Sequence, residues 1–421
     1  MSSRAELKNR VIFTTLVLLA YRFGTFIPIP GVNADALKLL LDDSGGFGMF
    51  GMINLFSGGA FERMSIFALN IMPYITSSII MQLMTSMYKG LEVLKKDGEY
   101  GRAKVNQYTR YLTIVLALFQ SLGVYYALSS PEHSVFGSDS KVFLWTTSIS
   151  LVGGTVMLMW FGEKITSSGI GNGISLIIFV GIVSSLPSTV VQVFDLTRSG
   201  VYSGFVVILF LTVFAALLLL VCFTERAYRR IKIQYPNLAA MRNANSGDHS
   251  FLPIKVNISG VIPPIFASSI LMFPIALLQF FNVENDILIS AVRKGGPIYF
   301  LLFAGLILFF SYFYSSIIFN TEEISNNLRK SNCFVLGVRP GISTATYLDK
   351  IVANLALFGA IYLIFVCITP ELLVSNYSIP LYIGGTGILI MVSVVLDFIN
   401  QVQSYILVPK SGRSRRRKIR V

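Results

Sequence analysis

Two histidines, His133 and His249, and three cysteines, Cys222, Cys333 and Cys367, are the side chains of this 421-residue sequence best suited to hold a metal or run redox chemistry. Their spacing argues against both. The histidines are far apart, and no two cysteines fall within the roughly two-to-four-residue interval of a zinc site. Two of the cysteines lie in apolar runs, which suits a reducing or membrane setting and implies no disulfide framework. There is no Walker sequence, no Ser/His/Asp grouping and no HExxH string. Gly169-Ile170-Gly171-Asn172-Gly173-Ile174 has the glycine density of a dinucleotide loop. Apolar spans rather than a βαβ unit flank it, so a tight turn is the better account. Glu163, Asp195 and Asp397 stand only at the ends of apolar runs. An ion-coupled transporter keeps carboxylates or histidines inside the bilayer to carry its ion. Energy for any transport must therefore come from a partner.

The elements around these residues are membrane spans. Hydrophobic residues make up 54% of the chain, charged residues 13%, and mean hydropathy is +0.68. Soluble domains carry about 25% charged residues, so a water-soluble globular chain and a disordered one are both excluded. Ten continuous apolar runs fall near 11–27, 66–86, 111–128, 142–161, 174–194, 204–223, 257–280, 298–319, 351–369 and 381–402. Each is long enough for a transmembrane helix, which needs roughly 17–25 residues. Their continuity excludes the alternation of a β-barrel. The first run follows Arg4, Lys8 and Arg10 but leads into no small-residue cleavage site, so it reads as a span and not a signal peptide.

The net charge of +13 is distributed by side. Of the 34 Lys and Arg, 27 fall in the two terminal segments and alternate loops, six fall in the opposite loops, and Arg22 lies within the first span. By the positive-inside rule both termini are cytoplasmic. The fold expected is an all-α polytopic membrane protein, with ten transmembrane helices in two inverted five-helix halves. These are 1–190 (spans 1–5) and 200–408 (spans 6–10), followed by a basic tail, 409–421. Inverted repeats place the functional path between the halves.

Residues 47–62 are apolar but interrupted by Gly48, Gly51, Gly58 and Gly59, too short and broken to cross. They read as a re-entrant, cavity-lining piece on the outer side. Arg22 is expected to snorkel toward the outer interface. The cytoplasmic loops 224–256 and 320–350 are the natural docking surfaces. In the second, Arg339 precedes Pro340-Gly341, a turn that would present its guanidinium outward. From charge alone these loops could equally serve lipid headgroups.

Several strings then resemble one family, the SecY family of protein-conducting channel subunits. They are Tyr21-Arg22-Phe23-Gly24-Thr25 through Pro28-Ile29-Pro30-Gly31-Val32, Phe56-Ser57-Gly58-Gly59-Ala60, and Ile71-Met72-Pro73-Tyr74-Ile75. Gly169 to Ser175, Leu252 to Asn257, Gly260 to Ser269, Gly337 to Gly341 and Gly384-Gly385-Thr386 complete the set. They occur in family order along nearly the whole chain.

The resemblance implies an hourglass channel for unfolded secretory chains that also releases apolar segments sideways into the bacterial plasma membrane. It carries the sealing ring onto Ile71, Ile75, Ile174, Ile178, Ile265 and Ile390. An apolar constriction resists wetting, yet deforms around a passing chain because it makes no directional bonds. Ile174 starts its span, so it reaches the ring only if the Gly169–Ile174 turn dips into a water-filled cytoplasmic funnel. The re-entrant piece becomes a short plug helix, about Asn54 to Met64, including Leu55, Phe56, Ser57, Gly58, Gly59, Ala60 and Phe61. Spans two and three would face spans seven and eight across a lateral gate, with Gln82 and Gln120 as breakable polar groups. Arg229, Arg230 and Arg339 match docking positions for the motor ATPase SecA and the ribosome. The implied partners are SecE, SecG, SecA, the ribosome, the unfolded preprotein with its signal sequence, and membrane lipids. The tail could meet lipid or rRNA phosphate. No cofactor and no enzymatic step are implied. The rival reading is an inverted-repeat secondary transporter of a small solute.

Overall fold

The computed structural model describes residues 3–32, 54, 57–128, 140–200, 204–234, 250–280, 296–377 and 384–407. Each of the ten apolar runs carries a helix. They are α1 (Ser3–Gly24), α2 (Met72–Met87), α4 (Gly98–Leu128), α5 (Ser140–Ser168), α6 (Gly173–Arg198), α7 (Gly204–Glu225), α8 (Ile262–Phe280), α9 (Pro297–Ile318), α11 (Ile342–Tyr377) and α12 (Gly385–Leu407). Two shorter polar helices, α3 (Lys89–Lys96) and α10 (Thr321–Lys330), lie between spans. Among the described residues, six helices are long and apolar enough to cross a membrane by length and composition.

The second span begins later than the hydropathy suggests. Residues 65–71 are apolar but form turns, and the helix starts only at Met72, with Pro73 in its first turn, where a missing N–H costs nothing. The turns are pinned by the segment after α1. Ile29 N–H donates to the Met64 carbonyl at 2.9 Å, Ile66 N–H donates to the Ile27 carbonyl at 3.1 Å, and Pro28 bridges Ser65. Met64 (φ 39°) and Asn70 (φ 49°) take left-handed backbone, which ends any helix at each point.

Compactness divides the chain into two units, one of residues 1–192 with 390–421 and one of residues 193–389. In the first, Ile29, Phe61, Met64, Ala68, Leu69, Val124 and Leu151 form one buried cluster. It brings the segment after α1, the turns before α2, and helices α4 and α5 to one core.

The second unit holds a feature that hydropathy hid. Strands β1 (Tyr228–Gln234), β2 (Ser250–Lys255) and β3 (Phe334–Val335) form an antiparallel sheet in the order β2-β1-β3. The cytoplasmic segments expected as loops 224–256 and 320–350 are thus joined in one sheet. The sequence of β1, Tyr-Arg-Arg-Ile-Lys-Ile-Gln, buries Ile231 and Ile233 and exposes Lys232 and Gln234, the period of a half-buried strand. Its cations masked that period. Ile231, Ile254, Val335 and Leu348 form the core under the sheet, with Phe319, Ile324 and Leu328 packed against it.

Candidate functional site

Of the segment expected as the plug, Asn54 and residues 57–62 are tied by local hydrogen bonds. Asn54 is its hub: its carbonyl accepts from Gly59 N–H at 3.0 Å and from the Ser57 hydroxyl at 3.1 Å. Its side-chain oxygen accepts from Glu62 N–H, and its amide donates to the Glu62 carboxylate at 3.3 Å. The Ser57 hydroxyl accepts from Phe61 N–H at 3.2 Å. Ser57, Gly58, Ala60 and Phe61 are buried, and Asn54 and Gly59 are half-buried. Leu55 and Phe56 lie outside the described residues.

Two neighbours seat this loop. A Cβ on Gly58 would strike the Ser184 hydroxyl and come within 2.7 Å of the Gly181 carbonyl, so α6 passes directly against the backbone at Gly58. Gly58 also has φ +65°, so both space and backbone require glycine there. From α1, Arg22 Nη1 donates to the Gly58 carbonyl at 3.0 Å and to the Thr25 hydroxyl at 3.5 Å. Arg22, expected to snorkel toward the outer interface, makes this contact with a half-buried guanidinium. A guanidinium half-buried beside a carbonyl satisfies a donor that would otherwise need water.

The ring isoleucines occupy diverse settings. Ile71 is buried at the start of α2, and its carbonyl accepts from Ile75 N–H at 3.0 Å, so the two lie one turn apart. Ile75, Ile174 and Ile265 are half-buried, and Ile178 and Ile390 are buried. Ile174 lies against α5, where a Cβ on Gly162 would meet its Cγ1 at 2.8 Å. Ile265 belongs to the second unit and the other five to the first.

The turn before α6 is knitted to two other helices. Ile170 is buried and its N–H donates to the Thr14 hydroxyl of α1 at 3.1 Å. Gly171 N–H donates to the Gln401 side-chain oxygen of α12 at 2.7 Å. Arg10 reaches the Gly169 carbonyl at 3.5 Å and lies over the Tyr405 ring. The Asn172 side chain caps α6 by accepting from Ile174 N–H at 3.1 Å. Gly169 and Ile170 are buried, Gly171 is half-buried and Asn172 is exposed, so the turn is anchored at its first half by side chains of neighbouring helices.

Between α2 and α4 the polar bonds are made by small hydroxyls. Gln82 donates to Ser78 one turn back on its own helix, at 3.3 Å, and Gln120 is half-buried on α4. The interhelical bonds are made by Ser77, which donates to the Thr109 carbonyl at 2.9 Å and meets the Thr113 hydroxyl at 3.1 Å. A small hydroxyl pair at helical spacing is the signal that could have found it. Arg110 of α4 makes a two-pronged ion pair with Glu163 of α5, both bonds 2.7 Å.

A second buried chain of polar groups lies in the other unit. Asn257 donates to the Glu225 carboxylate at 2.8 Å and the Gly260 carbonyl at 3.1 Å. Ser259 bonds Asn257 and Ser311, and Ser311 donates to the Ala356 carbonyl at 3.2 Å. This chain ties the turn before α8 to α7, α9 and α11. No span-by-span hydropathy reading could reveal it.

The predicted docking arginines sit on the sheet module. Arg229 and Arg230 are exposed on β1, opposite Ile254 and Pro253 of β2. Arg339 is exposed in a turn with Gly337 at φ +83° and Gly341 at φ +109°. The turn is held from both sides: Thr344 donates to the Arg339 carbonyl at 2.8 Å, and Ser325 of α10 donates to the Gly341 carbonyl at 2.7 Å. Cys333 is buried behind it, with its thiol against the Ser331 carbonyl.

The family pattern described as SecY matches residues 65–399. The chain belongs to the SecY family. It is 48% identical over 417 residues to the protein translocase subunit SecY of Rickettsia bellii, covering 97% of this chain and 95% of that one. It is 44% identical over 409 residues to the same subunit of Escherichia coli K12, covering 96% and 92%. In structure this SecY-family chain is similar to a solved protein-conducting channel, with a TM-score of 0.67 over 95% of this chain and 93% of that one, at 17% identity. It is also similar to Sec61 in the canine ribosome-channel complex, with a TM-score of 0.62 over 95% and 93%, at 16% identity. The fold is therefore that of a polytopic channel subunit, and this SecY-family chain is a multi-pass membrane protein.

Proposed function

We propose that this chain is the channel-forming subunit of a bacterial protein translocase. It passes unfolded secretory chains outward and releases apolar segments sideways into the plasma membrane, with both of its termini in the cytoplasm. The similarity to translocase SecY subunits over nearly the full length carries this reading.

The halves 1–190 and 200–408 act as the two sides of the path, with 409–421 as a basic tail on the anionic cytoplasmic surface or on rRNA phosphate. Ile71, Ile75, Ile174, Ile178, Ile265 and Ile390 close the path as a dry ring. The turn before α6 dips into the cytoplasmic funnel to bring Ile174 to that depth; its satisfied backbone supports such a position. Asn54 to Phe61 form the plug on the outer side. Helices α2 and α4 make one wall of the lateral gate and α8 and α9 the other, with Gln82 and Gln120 on the moving face. Arg229, Arg230 and Arg339 dock the motor SecA or the ribosome, and SecE and SecG complete the complex. A motor supplies the energy, since the seal itself only yields and recloses.

Site-specific crosslinking in reconstituted vesicles tests this. A cysteine at Ile75 or Ile390 should trap a stalled secretory chain only when the motor and ATP are present. If the chain crosses while neither position ever touches it, the pore assignment fails.

A further inference from the structure

The two long strands of the sheet run almost directly into spans. α7 ends at Glu225 and β1 begins at Tyr228, while β2 ends at Lys255 and α8 begins at Ile262. The ladder ends with Tyr228 opposite Lys255, and one further bond, from Val256 N–H to the Ala227 carbonyl at 3.0 Å, extends it toward the spans. The next residue is Asn257, which is buried with both polar atoms of its carboxamide bonded. The nitrogen donates to the Glu225 carboxylate at 2.8 Å and to the Gly260 carbonyl at 3.1 Å, and the oxygen accepts from the Ser259 hydroxyl at 3.3 Å. Ser259 continues the chain to Ser311 of α9, which donates to the Ala356 carbonyl of α11. A Cβ on Gly359 would come within 3.5 Å of the Asn257 side-chain oxygen, so α11 also passes against the carboxamide. Apolar contact joins the same parts, since Ile258, Ile351 and Leu355 pack on the core under the sheet. Such contact holds surfaces together without fixing their angle, whereas a hydrogen bond weakens steeply away from its axis.

We propose that Asn257 is the positioning residue that couples the sheet to α8. Its carboxamide fixes the angle at which the β1–β2 ladder meets α7 and α8. A load on the sheet is then delivered to the first turn of α8 instead of being lost as bending between them. This rests on reading Arg229, Arg230 and Arg339 as docking residues, and Ile265, in the first turn of α8, as part of the closing ring. Glu225 gives the joint its strength, because a hydrogen bond to a carboxylate is roughly twice as strong as one between neutral groups. Glu225 also stands in the last turn of α7, where the helix dipole opposes a negative charge, so a donor aimed at it there is especially favourable.

The test uses the whole complex in sealed vesicles, with Cys222→Ser as the parent and spin labels at Lys232 of β1 and Ile270 of α8, both exposed. The distance between the labels should be narrowly distributed in the parent. It should broaden in Asn257→Asp, which replaces a donor to Glu225 by a second carboxylate. Asn257→Ala should behave alike, so a failure of one variant to accumulate leaves the other. Asn257→Asp combined with Glu225→Gln reverses donor and acceptor and should narrow the distribution again, which a role limited to filling space would not produce. Motor-driven transport should fall about tenfold in Asn257→Asp, as for the loss of one hydrogen bond to a charged group. Motor binding, and hydrogen exchange at Ile231 and Ile233, should stay as in the parent. Arg339→Glu serves as the control. If it transports normally, the docking reading fails and the coupling falls with it. If Arg339→Glu is blocked while Asn257→Asp transports at the parental rate, or keeps a narrow label distance, docking stands and the coupling is overturned. Loss of motor binding in Asn257→Asp would overturn it too, since the sheet itself would then be damaged.

Discussion

Ser77 of α2 and Thr113 of α4 meet hydroxyl to hydroxyl at 3.1 Å, both fully buried, and Ser77 donates on to the Thr109 carbonyl. The two helices are therefore joined by a bond that no lipid can replace. Thr113→Val keeps the shape and removes the hydroxyl. It should lower stability in detergent by about 0.6–1.7 kcal/mol, the range for interhelical hydrogen bonds in membranes. A double-mutant cycle with Ser77→Ala should return most of that as coupling energy. Gln82→Ala, whose bond stays within α2, should show no coupling to α4.

The Arg339 turn leads to a prediction about docking. Arg339 is exposed on a turn that Thr344 and Ser325 hold from both sides. Arg339→Glu should abolish motor-driven transport in vesicles while the protein still inserts and folds. Ser325→Ala should reduce transport only partly, since the guanidinium remains but its turn loosens. Normal transport by Arg339→Glu would exclude this turn from docking.

Leu348 lies in the core of the sheet module, fully buried in one cluster with Ile231, Ile254 and Val335. Leu348→Ala leaves a cavity and should cost about 2–5 kcal/mol. The loss should be local. Limited proteolysis should cut near β1 and β2 first, and hydrogen exchange in α4 and α5 should not change.

The turn before α6 predicts a steric result. A Cβ on Gly173 would strike the Gly162 carbonyl of α5, which is backbone and cannot rotate away. Gly173→Ala should therefore displace α6 and reduce the amount of folded protein in membranes. Gln401→Ala removes only the 2.7 Å bond to Gly171 N–H. It should leave that amide to water and cost about 0.5–1.5 kcal/mol, read as a lower midpoint of unfolding.

The ten spans were legible because hydropathy acts on each stretch of chain separately. Burying an apolar run in lipid depends on that run alone. The family strings, too, were local, and they pointed to the plug, the turn before α6 and the Arg339 turn. The start of α2 was misread because residues 65–71 are apolar, yet their backbone is committed to the segment after α1. The sheet was missed for a related reason: a strand is stable only when paired, and the partners of β1 come from two segments distant in sequence.

What the sequence determined by itself was therefore which segments form the apolar spans and which family supplies the fold. Tertiary structure alone decided the pairings. It joined Arg22 to the Gly58 carbonyl, linked α2 to α4 through Ser77, and gathered Asn257, Glu225, Ser259 and Ser311 into one polar chain. The physical reason is that hydrophobic partition is additive along the chain. A hydrogen bond instead requires two groups to arrive at one point in one orientation, which only the folded path provides.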